Sequence, residues 1–220
     1  MKEAKKGSKG YGGSFGAVYV FSPIARKIAT LLLRTSFSPN QVTIAGFLIG
    51  MIGVVMLFSK NPIILFIAGL FLFLQHVFDC VDGLLARLTD KKSKVGALLD
   101  EFLDRIFDTS LYLAATFIAF RETGLWYVWP IGFLAGMGSM RTISVYLKLE
   151  FLQYKGKPIR TLPFYRQIFN YGNEVNTMLI FFGILFGLIY WVLLGIAVAA
   201  NLFATARFFY AVPKLKSDSP

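Results

Sequence analysis

Apolar runs of about 20 residues, the length a bilayer crossing requires, recur along the chain between short polar breaks. The pattern predicts six spanning helices, over 41–58, 62–86, 95–120, 126–148, 174–190 and 192–210. Ser59-Lys60-Asn61 and Arg121-Glu122-Thr123-Gly124 are two of the breaks. Residues 1–16 are rich in Lys and Gly and read as a mobile tail. Ser22-Pro23 then reads as a helix start, a cap followed by proline at the first helical position. Ile24, Ile28, Leu31 and Leu32 share one face of that helix while Arg26, Lys27 and Arg34 point elsewhere, the pattern of an amphipathic helix lying on a membrane leaflet. Ser38-Pro39-Asn40 ends it. The expectation is an all-α fold: a six-transmembrane-helix bundle over 37–212, preceded by a tail and juxtamembrane amphipathic interfacial helix over 1–36 and followed by a short tail over 213–220.

Composition agrees, with 56% hydrophobic residues and a mean hydropathy of +0.62. The single cysteine, Cys80, excludes an internal disulfide, and the single histidine, His76, argues against a histidine metal cage or a Ser-His triad. A net charge of +11 would suggest nucleic acid in a soluble protein, but here its distribution decides. Six spans put both termini on one side. That side then holds 19 of the 23 Lys and Arg, in the tail, the 87–94 loop, the 148–172 segment and the C-terminus. By the positive-inside rule this side is cytoplasmic, so the chain reads as an integral membrane protein with both termini inside and no nucleic-acid partner is expected; a prokaryotic plasma (inner) membrane is the expected location. The basic start is followed by glycines rather than a short apolar h-region, so no cleavable leader is expected. Gly46 and Gly50, Gly132 and Gly136, and Gly183 and Gly187 are small residues four apart; they allow close helix contact, more often within a subunit than between subunits.

The candidate chemistry lies in residues 79–104, DCVDGLLARLTDKKSKVGALLDEFLD. Asp79 and Asp82 are three apart and Asp100 and Asp104 four apart, so each pair shares a helix face. If 88–95 folds back, four carboxylates meet. One charge at a bilayer centre costs about 2.5–3.5 kcal/mol on insertion scales, so four cost on the order of 10 kcal/mol. Divalent cations remove that cost, and all-oxygen ligands suit Mg²⁺ or Mn²⁺ rather than Zn²⁺. Two other readings remain at this point. A salt-bridge network with the nearby lysines explains the acids but not Gly83, Ala86 and Gly96 at their spacings. A divalent-ion or metabolite transporter also uses intramembrane carboxylates, although here the acids sit toward one face beside a basic loop and no inverted repeat is visible.

The arrangement D-x2-D-G-x2-A-R-x8-G-x3-D-x3-D, made by Asp79, Asp82, Gly83, Ala86, Arg87, Gly96, Asp100 and Asp104, resembles the signature of the CDP-alcohol phosphatidyltransferase family. All eight positions are present at the family spacing, and only the N-terminal extension departs from a minimal member. The resemblance implies transfer of a phosphatidyl-type group from a CDP-linked lipid donor to a small polar alcohol, with release of CMP. It also implies two bound Mg²⁺ or Mn²⁺ ions and a homodimer. Asp79, Asp82, Asp100 and Asp104 would be the metal ligands, with Asp104 also the base that deprotonates the acceptor hydroxyl. Asp82, Gly83, Ala86, Arg87 and Gly96 would contact the donor nucleotide. Asn40-Gln41-Val42-Thr43 is similar to the family's N-x-x-T, placing Asn40 and Thr43 at the cytidine nucleotide, and Ser93 fits a donor-contacting position; helix capping is the plainer role for all three. Lys148, Arg166 and Arg207 resemble the basic residues of the branch that uses inositol phosphate, while serine and glycerol phosphate stay open as acceptors. Glu101 and Arg105 are spaced for an intrahelical pair. Asp108 reads as a structural polar contact and His76 as an interhelical hydrogen bond.

Overall fold

The computed structural model describes residues 20–151, 153–154, 157–158 and 173–217, with side chains over 20–142, at 144 and over 173–213. The expected tail over 1–16 and Arg166 fall outside the described residues, as does the side chain of Lys148. Seven α-helices are described: α1 (Ser22–Leu32), α2 (Pro39–Met56), α3 (Pro62–Leu88), α4 (Lys94–Thr123), α5 (Val128–Phe151), α6 (Asn173–Leu185) and α7 (Ile189–Ser217). The all-α expectation needs one addition, a two-stranded antiparallel hairpin of β1 (Gln153–Tyr154) and β2 (Lys157–Pro158) after α5.

Local chemistry sets the helix boundaries. Ser38, with extended backbone, caps α2: its hydroxyl accepts from Gln41 N at 3.3 Å while Gln41 Oε1 accepts from Ser38 N at 2.9 Å. This reciprocal box starts the helix at Pro39, ahead of the expected residue 41. Ser22 does not cap α1. It is the first helical residue and is buried, and Phe21 in the cap position offers no side-chain bond. Helix α6 stops at Leu185, well before the expected 190, because Gly187 takes the left-handed conformation (φ +67°) that lets Leu188 N donate to Gly183 O at 2.7 Å. Gly187 is therefore a turn residue and not part of a packing stripe. At the other end of α7, Pro213 lies inside the helix rather than opening a tail.

The remaining small residues let helices close on one another. A methyl group on Gly46 would lie 2.7 Å from Phe78 Cβ, and one on Gly50 would lie 2.7 Å from Gln75 Cγ. Gly132 faces Thr116 with no room for a side chain, Gly136 rests on Tyr112, and Gly183 on Val192. All of these are contacts within the subunit. Helix α2 packs on both α3 and α4, whereas α3 and α4 barely approach each other at the backbone. The main core runs from α2 through α7 and includes Val54, Leu72, Phe107, Ala135, Ile180 and Leu193, all buried. A smaller cluster seats α1 on α3 through Phe21, Ala25 and Ala29 against Val77, Val81 and Leu85, leaving Ile24 and Leu31 exposed.

Among the described residues, three helices are long and apolar enough to cross a membrane: α2, α3 and the Ile189–Pro213 part of α7. Helix α4 carries Asp100, Glu101, Asp104, Arg105 and Asp108 in its first half. Helix α5 is diluted by glycines, serines and Arg141. Helix α6, with 13 residues, is about 20 Å long, short of the roughly 30 Å of hydrocarbon.

Gly69 of α3 faces the ring of Phe181 of α6 with no space for a Cβ. Gly69→Ala is therefore expected to destabilise the bundle by about 1–3 kcal/mol, read as a lower unfolding temperature in detergent. An unchanged unfolding temperature would refute this packing.

Candidate active site

The polar segment between the two acidic pairs folds as a tight reversal. Thr89 ends α3, Asp90 adopts a left-handed conformation (φ 54°) that aspartate tolerates, and Lys91 N donates to Ala86 O at 3.0 Å. Ser93 then caps α4, accepting from Gly96 N at 2.9 Å. The reversal returns the chain so that the C-terminal third of α3 and the first turns of α4 face each other across a cleft floored by α2. Asp79, Asp100 and Asp104 each present a carboxylate oxygen there, all within 4.8 Å of one another. Asp82 lines the same cleft. It is 5% exposed, and its Oδ2 is buried with no hydrogen-bond partner among the described residues.

Two clefts meet at this cluster. The first, about 250 Å³ including space open to solvent, is lined by Thr43, Gly46, Gln75 and the four aspartates, among others. The second, about 370 Å³ on the same measure, is lined by His76, Arg105, Asp108, Asn173 and Glu174 together with Gln75, Asp79, Asp104 and Phe107, which the two clefts share. Such an oxygen donor set fits a hard divalent cation. Like charges this close in a low-dielectric setting repel strongly, and Asp82 Oδ2 is buried without a hydrogen-bond partner among the described residues. Asp79, Asp100 and Asp104, with Asp82 beside them, are the residues that would hold it.

The other expected site residues divide by position. Asn40, Ser93 and Gly96 come together: a Cβ on Gly96 would lie 2.8 Å from Asn40 Oδ1 and 3.0 Å from Ser93 Oγ. Ser93 does cap a helix, while the cap of α2 is Ser38 and not Asn40. Thr43 donates to Pro39 O at 3.1 Å within its own helix and lies at the first cleft within hydrogen-bonding reach of Asp82. Gly83 is open, with Arg87 Nη2 3.7 Å from where its Cβ would be, and Arg87 is exposed. Arg207 lines neither cleft. It is 1% exposed, and its Nη1 donates to Thr142 O at 2.9 Å, joining α7 to α5.

Two expected contacts are replaced by others. Arg105 pairs with Asp108, at 3.2 Å, and not with Glu101, which is exposed. Asp108 is buried and also accepts from Asn173 Nδ2; Asn173 Oδ1 accepts from Ser139 Oγ at 2.5 Å. This chain of bonds ties α4 to α6 and α5. His76 makes no interhelical hydrogen bond among the described residues; its ring lies against Phe21 and Phe107, and its Nε2 is buried without a partner. Gln75, Phe107, Asn173 and Glu174 line the site without having been singled out by the sequence pattern. Gln75 carried a readable signal, a lone amide in an apolar run one turn before Asp79.

A family model of the CDP-alcohol phosphatidyltransferases matches residues 36–210. The chain belongs to that family. Among its relatives, the archaetidylinositol phosphate synthase of Pyrococcus horikoshii is 35% identical over 120 residues, covering 54% of this chain and 58% of that protein. The phosphatidylinositol phosphate synthase of Mycobacteroides abscessus is 34% identical over 92 residues, 42% of this chain and 41% of that one. The chain thus spans about half the length of these relatives. Crystal structures of Mycobacterium tuberculosis phosphatidylinositol phosphate synthase share the fold at 20–21% identity. The form with CDP-DAG bound has a TM-score of 0.58, covering 86% of this chain and 92% of that one. The form with manganese and citrate has a TM-score of 0.55, covering 86% and 88%.

If the three facing carboxylates form the metal site of this family member, Asp100→Asn is expected to weaken Mn²⁺ binding by more than the 10–100-fold typical of changes one shell further out, as measured by calorimetry on the purified protein. Unaltered affinity would place the ion elsewhere.

Proposed function

We propose that the protein is a membrane-embedded transferase that moves a phosphatidyl-type group from a CDP-linked lipid donor to an alcohol and releases CMP. The donor is CDP-diacylglycerol or an archaeal ether analogue, and the acceptor is inositol phosphate. The observation that carries this reading is the meeting of Asp79, Asp100 and Asp104 across the α3–α4 cleft, with Asp82 beside them, at the family's signature spacing. The inositol phosphate synthases among the relatives support the acceptor, and the CDP-DAG and manganese complexes of the M. tuberculosis protein support the donor and the metal.

In this reading Asp79, Asp82, Asp100 and Asp104 hold two divalent cations, Mg²⁺ or Mn²⁺. Bound there, the ions supply positive charge to the donor pyrophosphate and to the leaving CMP. Asn40, Thr43, Gly83, Ala86, Arg87, Ser93 and Gly96 receive the cytidine nucleotide. The bare backbone at Gly83 admits a flat base or a phosphate, and Arg87 offers its guanidinium fork to phosphate oxygens. Asp104 takes the proton of the acceptor hydroxyl. That oxygen bonds to the lipid-linked phosphorus as the phosphoanhydride bond to CMP breaks. Lys148 and Arg166 receive the phosphate of the acceptor, while Arg207, buried and lining neither cleft, holds α7 to α5 through Thr142 O.

Helices α2 to α7 form the six-helix membrane bundle of this proposal, with α6 crossing only part of the hydrocarbon over its described length, and α1 lies in the cytoplasmic leaflet with Ile24 and Leu31 toward the acyl chains. Exposed Trp126, Trp129 and Trp191 gather where α4 ends and α7 begins, the end away from the aspartates, as an aromatic belt at the outer interface requires. The site and both termini then face the cytoplasm of a prokaryotic cell, and the working form is a homodimer.

Membranes carrying the protein, given CDP-diacylglycerol and Mn²⁺, are expected to release CMP with inositol phosphate and not with serine or glycerol phosphate. Asp104→Asn is expected to lower the rate at least about 100-fold, as loss of a positioned base does. Full-rate CMP release by Asp104→Asn would remove its role as base. Uptake of Mg²⁺ into liposomes with no CMP release under any acceptor would overturn the transferase reading in favour of a transporter.

A further inference from the structure

Beneath the carboxylates, three helices meet at one amide. Gln75 of α3 is 5% exposed and lines both clefts, yet its Oε1 is buried with no hydrogen-bond partner among the described residues. Native proteins rarely leave a buried amide oxygen unsatisfied, because its lost hydration goes uncompensated. The side chain is also deliberately housed. A Cβ on Gly50 of α2 would lie 2.7 Å from Gln75 Cγ and 2.8 Å from Phe107 Cε2, so the missing side chain at Gly50 is what lets Gln75 occupy this junction. Gln75 sits one helical turn before Asp79 and so presents its amide on the acidic face of α3.

The two clefts differ in what they offer. The first holds Thr43, Asp82 and Asp100, given above to donor and metal. The second holds His76, Arg105, Asp108, Asn173 and Glu174, a lining of hydrogen-bonding groups suited to a small hydroxylated molecule rather than to an acyl chain. His76 Nε2 on that side is likewise buried without a partner among the described residues. Both clefts reach Asp104, and Gln75 stands where they join. An acceptor hydroxyl arriving at Asp104 from the second cleft brings the O–H donor that the Gln75 oxygen lacks.

We propose that Gln75 is a substrate-contacting residue whose carboxamide hydrogen bonds a hydroxyl of the polyol acceptor at the junction of the two clefts, beside Asp104. This rests on the transferase reading above. It also carries a signature outside turnover. An amide kept only for substrate is a burden to the empty protein, so an apolar replacement of similar size leaves the metal-free fold as stable or more stable.

The test compares the full-length wild type with Gln75→Met and Gln75→Leu in detergent. For both variants the KM for inositol phosphate is expected to rise about tenfold, the effect of losing one substrate hydrogen bond. The KM for CDP-diacylglycerol and the Mn²⁺ affinity are expected to stay within about threefold, and the metal-free unfolding temperature to be equal or higher. An unchanged KM for inositol phosphate overturns the proposal. So does an Mn²⁺ affinity that falls in place of it, which makes Gln75 a metal ligand, and so does a lowered metal-free unfolding temperature in both variants, which makes it structural. A wild type that releases no CMP with any acceptor defeats the transferase reading instead. Calorimetric binding of inositol phosphate then judges Gln75 alone, and equal affinity in wild type and Gln75→Met overturns its role.

Discussion

Mutual repulsion among carboxylates is the constraint on which the structure turns. Asp79 on α3 and Asp100 and Asp104 on α4 bring oxygens within 4.8 Å of one another in a largely apolar bundle, where like charges are poorly screened. Well-packed helices that cannot separate, or a cation between the acids, hold such a cluster in place. The fold provides the first and is shaped for the second. Helix α2 lies against both α3 and α4, with Gly46, Gly50 and Gly53 removing the side chains that would hold them apart. The short reversal through Thr89, Asp90 and the Ser93 cap leaves little slack between the acidic pairs.

The bonds around α4 extend that rigidity away from the charges. Asp108, one turn beyond Asp104, is held by Arg105 and by Asn173, and Asn173 in turn by Ser139. The helix bearing the proposed base is therefore anchored to α5 and α6 by polar contacts, while Phe107 and Leu111 anchor it to the apolar core. Arg207 does similar work at the α5–α7 contact through Thr142 O. Polar bonds inside the bundle fix helices that apolar packing alone would let rotate.

Much of this was legible in the chain. Apolar runs and their polar breaks located the helices, and the spacing of Asp79, Asp82, Asp100 and Asp104 placed carboxylates on facing helix surfaces. What escaped depended on contacts distant in sequence or on backbone geometry. Asp108 meets Asn173 across 65 residues, and no periodicity links them. Arg105 has an acid one turn away on either side, Glu101 and Asp108, and sequence spacing alone could not choose between them. Gly183 and Gly187 looked like a stripe, but Gly187 lies past the helix end, where only its φ reveals the turn. The cap of α2 fell to Ser38 because Gln41 could reach back to it, a reciprocal fit that the break at Ser38-Pro39-Asn40 only hinted at. The runs over 95–120 and 174–190 did form α4 and α6, but the acids of α4 and the brevity of α6 keep both from the helices that are long and apolar enough to cross a membrane among the described residues.

The most direct test of the central claim is anomalous diffraction at the manganese edge from crystals grown with Mn²⁺. The expected result is anomalous density between Asp79, Asp100 and Asp104, in the cleft floored by α2. Density confined to other sites, with these three carboxylates turned apart, would contradict the account.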